Sequence, residues 1–565
     1  MTTFKRPDAI IVGSGAGGGT AAHLLTQRGW NVVVLEKGKE WRAEDFLPLD
    51  ELHFREHKKL MPRADTDPMT YAGKNDNETI KSERWWEIEM VGGSTMVWDA
   101  NFPRYTAEDF AVTKYLDMAS IPDNGKIDMV DWPWTYDEFH PWFEAAEKDW
   151  GVSGKARQTV GKKGAKAWSQ EPVRDSYEYP MEPLLLHGST KFLTQTFERA
   201  GMPAYVGPRG INSRTFDSRP GCSFCGYDQF FGCPTNSRAN AQNTMLHRAE
   251  LTGRLDLRTG HCVTRVEHEN GRAKGVWYRT EPNGEEKFLG AKVVILSAQP
   301  IQSARLFLLS QVPDPHDVVG HYLTYHTKAN LDLTFPQLKP WNVGPGFQPR
   351  TAVGTLQHRD LYVINDKNTY LRKGGKFSIY DPYTCIPPLR NIKGASMGVG
   401  KGSVWGNELV DYLNEQRSQA GVTFSFTGDA MSIHSNRVEL DPVVKDSWGV
   451  PVPRTYYHHH QYDRDLSKYA LDRMVGVMTE AGGVVRKYEL QKEENPGYGH
   501  VHGCLRAGKE PEKSVLDPMC QSWSVKGLYA IDASFMPTAG ASNPSITMIA
   551  NAYRVCSQIP KEATA

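Results

Sequence analysis

Cysteine is scarce in this sequence, 8 residues among 565, and unevenly spaced. Small scaffolds stapled by disulfides need far denser cysteine, so that class is excluded and a reducing compartment is expected. Net charge is also missing, because 66 basic residues balance 66 acidic ones. That balance leaves no electrostatic footprint for nucleic acid or an anionic membrane surface. No stretch approaches the roughly 18 apolar residues of a spanning helix, and Met1–Ala9 lacks an apolar signal core. The expectation is a cytoplasmic protein without membrane insertion; export carried by a partner subunit would leave no mark here. Internal repeats are absent, and low complexity is confined to His458, His459 and His460. No other metal-ligand spacing accompanies that triplet, which reads as a polar loop.

Against these absences stands one well-formed local pattern near the start. Ala9–Val12 reads as a buried parallel strand, the glycine-rich run from Gly13 to Gly19 follows, Thr20–Arg28 has helical spacing, and Asn31–Glu36 is a second buried strand. A βαβ unit of this kind needs a right-handed crossover and a mostly parallel sheet. Gly13, Gly15 and Gly18 are spaced as in a dinucleotide fingerprint. The first permits the tight turn, the second lets a pyrophosphate approach the backbone, and the third allows close helix packing. Glu36 closes the second strand where a carboxylate accepts hydrogen bonds from ribose hydroxyls, and it would repel a 2′-phosphate. The motif alone does not separate FAD from NAD.

Further along, Leu255–Arg258, Val263–Glu267, Gly275–Tyr278 and Val293–Leu296 read as strands, with a hairpin turn at Glu269–Gly271. Val293–Leu296 leads into a helix over Ile301–Ser310, and Gly527–Asp532 leads through a loop into a helix over Pro544–Cys556. Glu40–Arg84 reads as a charged, irregular excursion, and residues 320–490 as alternating strands rich in aromatics.

Four segments, the Gly13–Gly18 fingerprint, Val91–Trp98, Val293–Ser310 and His500–Ala552, occur in the order found in the glucose–methanol–choline (GMC) flavin oxidoreductases. The chain resembles that family, in its branch of gluconate 2-dehydrogenase flavoproteins and pyranose 2-oxidases. The resemblance implies an α/β fold, with a Rossmann-type FAD-binding domain on a parallel sheet and a mixed-sheet substrate-binding domain. FAD-binding segments would be 1–105, 196–320 and 491–565, and substrate segments 106–195 and 321–490. It places Gly92, Gly93 and Ser94 near the isoalloxazine ring, the Val263 backbone at the adenine, and Asp532 with Ala533 at the ribityl chain and pyrophosphate. Thr547 fits alongside. Val97 stands where some pyranose oxidases carry the histidine that links FAD, so non-covalent FAD is expected.

The family's His-x-x-Gly-Thr-x-Arg-Met-Gly pattern fits with His500, Gly503 and Arg506 in place and Cys504 and Ala507 as departures. The second catalytic position falls on Asn543. The residue types suit alcohol oxidation. A neutral imidazole with a pKa of about 6.5 takes the hydroxyl proton, and an amide donates to the oxygen as charge develops. His502 is the rival base, since strand alternation sends it to the same side as His500. The alternative for Asp532 is a helix or turn cap, and Trp98 reads as a site or a packing residue. Cys222, Cys225 and Cys233 admit an iron–sulfur cluster or a reduced-thiol loop. Three thiols are fewer than the usual four, and Asp228 stands where related sequences often have another. The expected partners are a small alcohol or sugar, an electron acceptor (oxygen or a redox protein) and a small accessory subunit. Competing readings are an aromatic-alcohol oxidase, a non-redox lyase that keeps FAD, and an NAD-binding module.

Overall fold

Three apolar tetrads form the centre of the molecule. In the computed structural model, Ala9–Val12, Val32–Leu35 and Val293–Leu296 are buried at every position, as strands covered on both faces must be. The structure describes residues 4–46, 64–72, 79–82, 87–156, 178–186, 188–202, 204–225, 231–338, 354–380, 406–411, 420–492 and 500–561. The tetrads join Leu528–Ala530 and Leu255–Arg258 in a five-stranded sheet, ordered 528–530, 293–296, 9–12, 32–35 and 255–258. Every pairing in it is parallel. The helix Ala16–Gln27 starts earlier than expected and takes in Gly17–Gly19. Glycine is a poor helix former, but a Cβ at Gly18 would strike the Gly13 carbonyl and one at Gly17 would lie 2.7 Å from Ser297 Oγ. Close packing decides the residue type there.

The hairpin Cys262–Glu269 to Arg272–Arg279 turns through Asn270 and Gly271, both with positive φ, as a two-residue type I′ turn requires. A six-stranded sheet, ordered 484–489, 327–335, 420–428, 375–380, 356–358 and 205–206, is antiparallel throughout. Within Thr327–Phe335 burial alternates strictly. Ala329, Leu331, Leu333 and Phe335 share a core with Leu466, Ala470 and Met474 of the helix Gln461–Glu480, which sends Lys328 and Asn330 to the other face.

That helix lies where the sequence reads as strands. Its buried residues recur at about every fourth position, from Tyr462 to Met478, and the interleaved polar residues resemble strand alternation. The histidine triplet is the helix entrance: His460 accepts from Tyr462 N at 3.1 Å, and His459 Nδ1 lies 3.2 Å from Asp463 Oδ2. The charged excursion also differs from its reading. Residues 47–63, 73–78 and 83–86 are outside those described, while Met69–Ala72 and Thr79–Ser82 pair in a mixed four-stranded sheet with Pro451–Tyr456 and Arg437–Lys445. Among the described residues no helix is long and apolar enough to cross a membrane.

The helix Tyr136–Trp150 packs against Ser545–Gln558 and carries Glu147. Its carboxylate holds Arg104 in a fork, Nε to Oε1 at 2.8 Å and Nη2 to Oε2 at 2.7 Å, with both side chains fully buried. Removing one member of such a pair strands a charge in the interior. Glu147→Ala should cost about 3–5 kcal/mol by denaturant unfolding, whereas the double change Arg104→Met with Glu147→Leu should recover most of it.

Candidate active site

Gly13 leaves the first strand at φ +93°, a conformation that favours glycine, and opens the loop to a cavity of about 670 Å³. Ser14 then ties the loop together. Its N and Oγ donate to Glu36 Oε2 at 3.1 and 2.6 Å, and its Oγ accepts from Gly92 N at 3.0 Å. Gly38 N donates to the other Glu36 oxygen at 2.8 Å. Burial raises the Glu36 pKa, although these bonds oppose the shift. Gly92 turns at φ +89° and brings Gly93 against Gly15, where a Cβ on Gly93 would meet Gly15 Cα at 3.3 Å. A Cβ on Gly15 itself would meet nothing within 4 Å. The helix behind it has no side-chain cap and no acidic residue in its first turn, so its positive end is available to an anion.

Glu36, Ser94, Val97, Trp98, Val263, Asp532 and Ala533 all line the cavity. Asp532 does so while capping a short helical turn, accepting from Ser534 N at 2.9 Å and Ser303 Oγ at 2.5 Å. Trp98 likewise packs edge-on against Phe102 and Trp150 and donates to the Ala239 carbonyl at 2.8 Å. Gly18, Gly92 and Thr547 are not among the lining residues. Thr547 is fully buried, with an Oγ1 that has no partner among the described residues. Cys504 and Ala507, the departures from the sequence pattern, are buried in the core. Arg506 is structural too, bonded to Asp128 Oδ2 at 2.7 Å and stacked over Tyr322.

At the other end of the cavity His500 Nε2 lies 3.2 Å from Asn543 Nδ2, and His500 Nδ1 lies 2.9 Å from His326 Nδ1. The Ala539 carbonyl, 3.0 Å from His326 Nε2, also accepts from Tyr105 Oη. A carbonyl can only accept, so His326 carries its proton on Nε2 and accepts on Nδ1. His500 must then donate from Nδ1, which leaves Nε2 as an acceptor for the Asn543 amide. Asn543 Oδ1 accepts from Asn101, Asn101 Oδ1 from Gln357, and Gln357 Oε1 from Tyr205, at 3.2, 2.9 and 2.8 Å. Every amide in the chain has one consistent orientation.

His500 lines the cavity; His502 does not. His502 pairs with Thr324 on a two-residue strand and packs beneath His326, ring centroids 4.6 Å apart. Its ring nitrogens make no hydrogen bond of good geometry within the described residues, although the Thr324 backbone is close enough to raise its pKa against the effect of burial. Burial, then Lys328, His502 and Lys376, hold His500 well below the usual histidine value, and burial pushes His502 down to about 3. Lys328 Nζ is 3.4 Å from His500 Nδ1 and donates to Thr427 Oγ1 at 2.8 Å. Ser14, His326 and Lys328 are absent from the sequence reading. For Lys328 a signal existed, since a lysine on an otherwise alternating strand marks the polar face.

Family models described as "GMC oxidoreductase" match residues 130–328 and 433–552, together more than half of the chain, and an NAD(P)-binding Rossmann-like domain matches residues 11–41. The chain belongs to the GMC oxidoreductase family. It is therefore an FAD-dependent oxidoreductase acting on CH–OH donors. Similar proteins include 2-methyl-1,2-propanediol dehydrogenase of Mycolicibacterium austroafricanum, 26% identical with 98% of this chain and 95% of that one covered. Gluconate 2-dehydrogenase flavoprotein of Pantoea cypripedii is also 26% identical, with 97% and 93% covered. Pyridoxine 4-oxidase from Mesorbium loti shares the fold, with a TM-score of 0.60, 17% identity and 98% of each chain covered.

The residues present in this GMC oxidoreductase fit FAD. The open space at Gly15, the free helix end and the Glu36 carboxylate form a cradle for pyrophosphate and ribose, and the volume lies in the range of cofactor clefts. Residues 226–230, including Asp228, are outside those described. Cys222, Cys225 and Cys233 do not converge: the described trio of metal-type ligands with donor atoms within 4.8 Å of one another is Asp317, His321 and His434. Cys233 Sγ lies 3.4 Å from Ser237 Oγ.

Because position 15 faces the cavity and not the protein, Gly15→Val should leave the unfolding midpoint of the apoprotein within about 1 kcal/mol of the parent. Purified protein should contain little or no flavin by absorbance. Full flavin content would remove Gly15 from the cofactor site.

Proposed function

We propose that this protein oxidises a hydroxylated donor, a polyol, sugar or related alcohol, to the carbonyl compound, with His500 as the base and Asn543 as the group that orients the hydroxyl. FAD is held without a covalent link, Val97 offering no nucleophile, and when bound it supplies the acceptor for the hydride. What carries the reading is the His500 Nε2 to Asn543 Nδ2 pair on the cavity wall, with its donor and acceptor sense set by His326 and Ala539. A substrate hydroxyl satisfies both partners of that bond at once, donating to Nε2 and accepting from Nδ2. The O–H proton passes to His500 as the C–H bond breaks and the carbonyl forms. The Asn543 amide bears on the oxygen while its charge develops. In the same reading Glu36 meets the ribose, Ser94, Gly92 and Gly93 back the ring system, and Val263, Asp532, Ala533 and Thr547 complete the cofactor surroundings. The relatives named above act on a diol and on gluconate, which supports a hydroxylated donor.

His500→Ala should keep bound FAD and lose roughly two to four decades in the rate of anaerobic flavin reduction. Asn543→Ala should lose about 10²–10³, and His502→Ala less than either. A larger loss for His502→Ala with FAD retained would transfer the base to that residue.

The pH dependence has a defined sign. The active ring is neutral, and a pKa held well below 6.5 keeps it neutral in more acidic solution. For a neutral alcohol, kcat/KM for flavin reduction should show no protonic inflection at about pH 6.5. An inflection there that disappears in His500→Ala would show an ordinary, unshifted imidazole and contradict the burial argument.

A further inference from the structure

Thr427 sits between two lysines. Lys328 and Lys376 are its register partners on the neighbouring strands Thr327–Phe335 and Gly375–Tyr380, so the three form one row on the face of the six-stranded sheet that Ser378 and Ser425 share. Lys328, Ser378, Ser425 and Thr427 line the cavity. Lys376 is fully buried next to them and donates to Ser378 Oγ at 2.9 Å. Arg209, 3% exposed, donates to Thr355 Oγ1 of the cavity wall at 2.5 Å, and its Nε and Nη2 have no partner among the described residues. None of the three basic side chains forms an ion pair among the described residues, and burial lowers the Lys376 pKa well below the ordinary lysine value. The carboxylate that faces the lysines is Asp99.

Arg219 and Arg554 are also buried without an ion pair among the described residues, but neither lines the cavity, and four other buried cations are paired. Lys373 is bonded to Asp109 at 2.7 Å, Arg104 to Glu147 at 2.7 Å, Arg305 to Asp446 at 2.8 Å and Arg506 to Asp128 at 2.7 Å. An ammonium or guanidinium taken out of water without an anion is among the costliest placements in a protein. Three basic side chains beside a cavity, with hydroxyls from Ser378, Ser425 and Thr427 around them and Asp99 as the facing carboxylate without a close ion pair, suit an anion supplied by a ligand.

We propose that the alcohol oxidised here carries a carboxylate, held by Lys328 with the Thr427 and Ser378 hydroxyls and backed by Lys376 and Arg209. The assignment rests on the reading of His500 as the base, because Lys328 Nζ at 3.4 Å from the His500 ring puts the anion within one small molecule of it. It also answers a difficulty in that reading. In the free site Lys328 and Lys376 oppose protonation of His500, and burial pushes the Lys328 pKa down to about 8. A carboxylate against Lys328 keeps the lysine charged and cancels its field at the imidazole, so the base gains strength when the substrate is in place.

The test uses holoenzyme. Anaerobic flavin reduction is followed with glycolate, glycerate and gluconate, each against its primary amide, and binding of propionate and of inorganic phosphate to the oxidised enzyme is measured by calorimetry. The expected result is a preference of about 100-fold or more in kcat/KM for acids over amides, which Lys328→Met abolishes and Lys376→Met reduces about tenfold. Propionate should bind the parent and not Lys328→Met. Amides or neutral polyols that reduce the flavin as well as the acids overturn the carboxylate and leave the base assignment standing. Phosphate binding tighter than propionate overturns it as well. If no donor in the panel reduces the flavin, the proposed oxidation loses its support, and propionate binding still decides whether the lysine row holds a carboxylate.

Discussion

The hydrogen bond from His326 Nε2 to the Ala539 carbonyl, 3.0 Å long, sets the direction of a chain of polar contacts that runs through His500, Asn543, Asn101 and Gln357 to Tyr205. With Tyr105 on its second lone pair, that oxygen leaves His326 no choice of tautomer. Reversing any one member would force two donors or two acceptors together in a buried site, which costs more than the bond contributes. The tautomer of His500 is thus set by a neighbour that does not line the cavity.

Holding the chain requires that its loops be held, and buried charge does this. Asp109, in the first turn of a short helix, accepts from Ala541 N at 3.3 Å, from Tyr362 Oη at 2.7 Å and from Lys373 Nζ at 2.7 Å. Tyr362 and Arg359 reach Ser542 Oγ at 3.2 and 3.1 Å. The segment Ala539–Ser542, which leads into Asn543, is therefore pinned at three points. Asp429 stands 3.8 Å from Lys373, and burial pushes its pKa up to about 7. One ammonium serves two carboxylates, only one of them in close contact.

The two ends of the cavity differ in how they arise. The cofactor end is a continuous turn: strand, Gly13, Ser14, Gly15 and helix, with Glu36 one strand away. The reacting end gathers side chains from the antiparallel sheet, the His500 segment and the Asn543 loop, none adjacent in the chain. A parallel sheet presents its loop to phosphates by local geometry, whereas the polar face of the six-stranded sheet becomes a wall because its other face is sealed by the helix Gln461–Glu480.

The sequence by itself determined the βαβ unit, the parallel tetrads and the hairpin at Asn270–Gly271, because turn chemistry and burial on both faces are written in neighbouring residues; His500 and Asn543 were reached only through the family resemblance. It also carried the positions of Glu36, Val263, Asp532 and Ala533 to the cavity. The sequence misread the Gln461–Glu480 helix, whose stripe has the spacing of two periods at once; Thr547, expected beside the cofactor, is buried just off the cavity wall. Only the tertiary structure shows that His500 lines the cavity and His502 does not, since His326 packs against both rings and His502 lies beneath it. The contact between His326 and His500 spans 174 positions, and so does the logic of the tautomer. A hydrogen-bond direction is a property of partners brought together by packing, and no local pattern in either segment records it.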